Sequence, residues 1–173
     1  SSDLNEDKKI WLKEHPDFDL ERERAEAKKV AEAMKEDGWE FASHTWGHIK
    51  ISDSSLGRLQ WDTQRWRENV EPLVGPVDTI IFAHGQDLGD WGEYPLSDGK
   101  YKYLREQGYR IFCNVDSNLY RTWFGRDYLR QGRRNLDGYR IYRNAAGMED
   151  NISDLFDAAE IIDPLRPPVP PLK

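Results

Sequence analysis

The chain is short of several things, and each shortage excludes something. It has one cysteine in 173 residues, so no internal disulfide can form. That residue, Cys113, lies in the apolar run "YRIFCNV" and reads as a buried structural thiol. No apolar run reaches the length of a membrane span. Net positive charge is also missing. The formal charge is -7, which argues against nucleic acid as a partner, and the short basic run "RQGRRN" (Arg130 to Asn135) reads as a solvated loop. No internal repeat is present, and only four histidines occur. The opening "SSDLNEDKK" is charged and has no leader character.

What is present suits a packed domain. Seven Trp, eight Tyr and six Phe supply bulky core material. Charged residues make up 33% and apolar ones 38%, short of the disordered class. The length suggests one domain, or part of a larger one.

The elements alternate. A helix is expected from Asp19 to about Glu36, with Leu20, Ala27, Val30, Ala31 and Met34 on one stripe and Gly38 closing it. "WEFAS" is a short strand. A second helix runs from about Ser54 to Glu71, with Leu56, Leu59, Thr63, Trp66, Val70 and Leu73 in step. "VDTIIFA" is a buried strand, "HGQDLGDWGEYPLSDG" a long loop, and "KYKYLREQ" a short helix. "YRIFCNV" is a third strand, "DSNLYRTWFGRD" a loop and "YLRQGRR" another strand. "NLDGYRIYRNA" is either helix or strand. Asn151 to Ile162 holds the last helix, and "DPLRPPVPPLK", with five prolines, is extended. Such alternation predicts a parallel sheet with crossover helices. Reactive residues then sit in loops after the strands. His44 and His48 follow one strand, His84 the next and Asp116 the third.

The stretch "GWEFASHTWGHIKIS" holds His44 and His48. The zinc-protease pattern H-E-x-x-H does not apply, because Thr45 replaces its Glu and Gly47 weakens a helix. Spacing alone leaves two readings open: a pair of metal ligands, or two capping or core histidines.

The surrounding residues carry a resemblance. "GWEFASHTWGH" resembles the second motif of the polysaccharide deacetylase family (the NodB-homology domain, carbohydrate esterase family four). Gly38, Glu40, Ser43, His44, Thr45 and His48 match that motif. "IIFAHGQDLGDW" stands where the third motif follows the next strand, and "GYRIFCNVDS" resembles the strand leading to the fourth. The resemblance runs from about Asp19 to Asp163.

The resemblance implies part of a distorted (β/α) barrel, an α/β fold of parallel strands and crossover helices, over residues 1–163, with 164–173 a Pro-rich tail. It implies removal of acetyl groups from an N- or O-acetylated cell-wall or capsular polysaccharide, at a divalent metal, zinc above all. It implies an extracellular or cell-envelope setting in a bacterium. His44 and His48 are the implied metal ligands, with Thr45 supporting the loop. The family's Thr-Phe-Asp-Asp-Gly motif, source of the base and the third ligand, has no counterpart here, and no Leu-His motif follows His84. The expectation is therefore a chain that starts inside the barrel, with its third ligand, an Asp, outside it. Such a chain is inactive alone, and it pairs with a second copy or with an N-terminal segment.

Candidates for the open roles are His84 and Asp116 as catalytic groups, against a strand-end histidine and a turn-capping Asp. For substrate binding they are Trp91, Trp123, Arg133 and Arg134, against burial of the Trp rings and a solvated basic strand end. The rival to the enzyme is a glycan-binding relative that keeps the fold and has lost the chemistry.

Overall fold

A computed structural model describes residues 3–85, 87–88, 92–115, 122–133, 136–149, 152–163 and 165. Among them are seven α-helices, one short 3-10 turn and four strands. The helices are α1 (Asp3–Glu14), α2 (Leu20–Glu36), α3 (Leu56–Asn69), α4 (Glu71–Val74), α5 (Gly99–Glu106), α6 (Gly138–Ala145) and α7 (Ala158–Ile161). The strands are β1 (Thr79–Ile81), β2 (Ile111–Val115), β3 (Thr122–Phe124) and β4 (Leu129–Arg133).

The helix ends follow local chemistry. Asp19 accepts from the Glu21 and Arg22 backbone N–H groups at 3.0 and 3.2 Å and starts α2. Gly38 ends it at φ +88°, where its N–H and that of Trp39 bond back to Lys35 and Met34. Ser55 caps α3 through its Oγ, which accepts from Arg58 N at 3.2 Å. The expected α2 stripe is only partly covered. Ala31 is buried, but Leu20 and Val30 are exposed, because α2 packs mainly on the short α4.

The sheet order is β1-β2-β4-β3. β1, β2 and β4 run parallel, with Thr79 opposite Ile111 and Ile111 opposite Leu129. β3 is an antiparallel edge, folded back on β4 through the Gly125–Tyr128 turn. Parallel pairing thus matches expectation. β3 falls in the stretch read as a loop. All three of its residues are exposed, so no alternation marks it.

"WEFAS" does not form a full strand. It pairs with β1 only at Ser43, whose N–H donates to Thr79 O at 2.9 Å and whose carbonyl accepts from Ile81 N at 2.8 Å. Two further elements differ. The ambiguous "NLDGYRIYRNA" is helical as α6, capped by Asp137 on Arg140 N. The final helix narrows to Ala158–Ile161, capped by Asp157 on Ala159 N. α1 has no counterpart in the expectations.

The core lies between the sheet and the α3 and α5 helices. It comprises Ile49, Ile51, Leu59, Ile80, Phe82, Leu104, Phe112 and a knot of Tyr94, Tyr101, Tyr109 and Tyr128. Burying a side chain such as Phe112 contributes about 1.5–3 kcal/mol. Beside these rings runs a buried polar network. Arg130 is ion-paired with Asp87, which also accepts from Tyr94 Oη at 3.0 Å and Asn114 Nδ2 at 3.3 Å. The Arg130 guanidinium lies over the Tyr94 ring at 4.5 Å. Burial pushes the Cys113 thiol up, consistent with a structural role.

The tyrosines make the fold sensitive to alkali. Burial raises Tyr101 to about 12, helped by its 2.6 Å bond to Asp127. Burial also raises Tyr94 and Tyr109. Each folded value exceeds the unfolded value of about 10, so the unfolded chain loses protons first as pH rises. The tyrosine contribution to stability is therefore constant below about pH 10 and falls between about 10 and 12. Urea midpoints measured across that range should drop steadily, with tyrosinate absorbance lagging until unfolding. A constant midpoint to pH 12 would contradict this packing.

Candidate functional site

Ser43, β1, β2 and β4 run in one direction, so their C-terminal ends share one edge of the sheet. His44 leaves Ser43 at that edge. Its Nδ1 lies 2.7 Å from the Ile81 carbonyl. A carbonyl only accepts, so Nδ1 carries a proton, and in the neutral ring that leaves the lone pair on Nε2. This is the state an imidazole needs to bind a metal through Nε2.

The histidines converge. The His44 and His48 rings are 4.9 Å apart between centroids, and the His48 and His84 rings 4.6 Å. His84 follows β1 directly, and its Nε2 donates to the His48 carbonyl at 3.1 Å. The sequence expectation of converging post-strand loops thus holds for three histidines on two loops.

The turn joining His44 to His48 is strained and heavily bonded. Among the described residues the non-glycine positions at positive φ are Thr45 (66°), His48 (49°) and His84 (59°), all in this cluster. Such conformations cost about 1–3 kcal/mol each and persist only where the surroundings enforce them. Here the enforcement is visible. Asp62, 1% exposed on α3, accepts from Trp46 N and Gly47 N, both at 2.8 Å. Thr45 Oγ1 accepts from Ile49 N at 3.1 Å, and Ser43 Oγ from Thr45 N at 3.3 Å. Side chains therefore satisfy most of the turn's backbone donors. A Cβ on Gly47 would sit 3.1 Å from Asp62 Oδ1, so the clamp also favours glycine there.

The other expected residues fall as follows. Trp123 lies on β3, 40% exposed, beside the more exposed Phe124. Arg133 ends β4 at the histidine edge and donates to Phe82 O at 3.2 Å. Asp116, Trp91 and Arg134 lie outside the described residues. A cavity of about 670 Å³ opens at the opposite end of the strands, lined by Lys35, Trp39, Phe41, Asp78 and Gln107, and is separate from the histidines.

The donor set fits a metal only in part. His44 and His48 offer imidazole nitrogens, a donor type of the right kind. Among the described residues, however, no three His, Cys, Asp or Glu side chains converge as a metal site. Asp62 is turned to the backbone amides and Asp87 to Arg130.

Residues 11–87 match the polysaccharide deacetylase family model. That match contains all three clustered histidines and Asp62. No curated protein and no solved structure matches the chain.

Asp62 had no place among the sequence candidates, although a signal existed. It sits on the stripe of Leu59, Thr63 and Trp66, where an acid is buried only if something claims its oxygens. Asp62→Asn keeps one acceptor and loses the other. Hydrogen bonds to charged groups contribute about 1.5–3 kcal/mol, so urea unfolding should show a loss of that size. A change below about 0.5 kcal/mol would mean that the clamp is not needed.

Proposed function

We propose that this chain carries the histidine half of a metal-dependent deacetylase site for an acetylated polysaccharide. One observation supports this above the rest. Within the family-matched segment, His44 is fixed in the tautomer that frees Nε2, and His48 lies beside it. A divalent metal, zinc in the first instance, would be held by His44 and His48 and would polarise an acetyl carbonyl and activate water.

The chain's own contributions are positional. Ile81 O and the Asp62 clamp orient the two imidazoles. His84 is a candidate proton donor, since it borders His48 and is exposed to solvent. On this reading the four-stranded sheet is part of a (β/α) barrel, and the setting is the cell envelope. A third ligand beside the two histidines has no counterpart among the described residues. That observation favours the second reading, a glycan-binding relative without chemistry.

Zinc titration followed by calorimetry separates metal binding from its absence. The chain should bind zinc, and the double variant His44→Ala, His48→Ala should not. Equal binding by both would remove the metal reading. Acetate release from an acetylated chito-oligosaccharide tests the chemistry. No release is expected from the 173-residue chain, because the Asp-Asp motif that the resemblance makes the source of the base has no counterpart in its sequence. Release would show that the chain holds a complete set.

A further inference from the structure

Two guanidinium groups border the histidine loops without a carboxylate partner among the described residues. Arg58, in the first turn of α3, is exposed. Its guanidinium carbon lies 4.6 Å from the Trp61 ring centroid. Its Nη2 would be 3.7 Å from a Cβ on Gly47, so the charge rests against the turn between His44 and His48. Arg133 reaches the other loop. It donates to Phe82 O, two residues before His84, and its Nε is buried with no hydrogen-bond partner among the described residues.

These groups contrast with the other arginines nearby. Arg65 also lies near Trp61, at 5.5 Å, but is paired with Glu68 at 3.3 Å. Arg105 is paired with Asp127 and Arg130 with Asp87. In a chain of net charge -7, leaving two arginines unpaired at one edge runs against the overall charge. A planar guanidinium matches a carboxylate in a two-pronged hydrogen bond. Stacking on Trp61 holds Arg58 in place before a ligand arrives, which reduces the ordering cost. For Arg133, partial burial without an anion is unfavourable until one is supplied.

We propose that Arg58 and Arg133 receive carboxylate groups of the glycan, so that the ligand is an acidic polysaccharide and not a neutral one. This rests on the glycan reading above but requires neither metal nor turnover. The test is therefore a binding measurement on the whole chain. An oligogalacturonate and a neutral chito-oligosaccharide of equal length are titrated, with calorimetry as the readout. The acidic oligomer should bind more tightly, and its affinity should fall with added salt. Arg58→Gln should weaken it roughly tenfold or more, and Arg133→Gln similarly. Arg65→Gln, which removes an equally exposed but paired charge, should leave it unchanged. Because Arg133 is partly buried, Arg58→Gln carries the test if the other variant fails to fold. Equal affinity for both oligomers, or acidic binding insensitive to Arg58→Gln, would overturn the inference. Either result would leave the zinc titration unaffected. Zinc binding could conversely fail while acidic binding persisted, so the two readings fall separately.

Discussion

The candidate site depends on one buried carboxylate. Asp62 reaches from α3 and holds the N–H groups of Trp46 and Gly47, which lie between the two histidines. Without it, the turn would have two free donors and little to hold Thr45 and His48 at positive φ. An acid in a helix stripe is costly to bury, and here its oxygens are met by oriented amides. The arrangement turns α3 into the support of the site. Its Leu59 and Trp66 anchor it in the core, and its Asp62 passes that rigidity to the histidine turn.

The sheet supplies the second support. Ser43 bridges to β1, and the carbonyl of Ile81 then fixes the His44 ring. β1 runs on into Ala83–Gly85, where His84 turns back to the His48 carbonyl. The two loops are therefore tied to each other through backbone carbonyls and imidazole N–H groups. Lys100 from α5 adds a tie by donating to Ile51 O and Ser52 O, just after the turn. A separate network of Asp87, Arg130, Tyr94 and Asn114 fastens the chain after His84 to β2 and β4. Positioning is thus built from many ordinary contacts. The chemistry would come from a few residues at one edge.

Much of this was legible in the sequence. Asp19 and Gly38 marked the ends of α2 because capping is a local matter of one side chain and a few backbone groups. β1 and β2 were visible as short apolar runs and β4 within the expected strand "YLRQGRR", and the post-strand rule brought His44, His48 and His84 together. Other features depend on partners distant in sequence. "WEFAS" has strand composition, yet its ladder with β1 holds only at Ser43. β3 exists because β4 offers it an edge, not because its exposed residues demand one. Asp62 is linked to Trp46 and Gly47 across 16 and 15 positions, which no local pattern reveals. That Arg58 and Arg133 have no ion pair among the described residues is likewise a property of the folded surroundings.

The central claim is that His44 is held ready to bind a metal through Nε2. Long-range nitrogen NMR of the histidine rings tests it most directly. An Nδ1-protonated His44 is expected in the free chain, with its Nε2 resonance moving on zinc addition while Nδ1 keeps its proton and donates it to the Ile81 carbonyl. An Nε2-protonated His44, or a ring whose nitrogens ignore zinc, would contradict it.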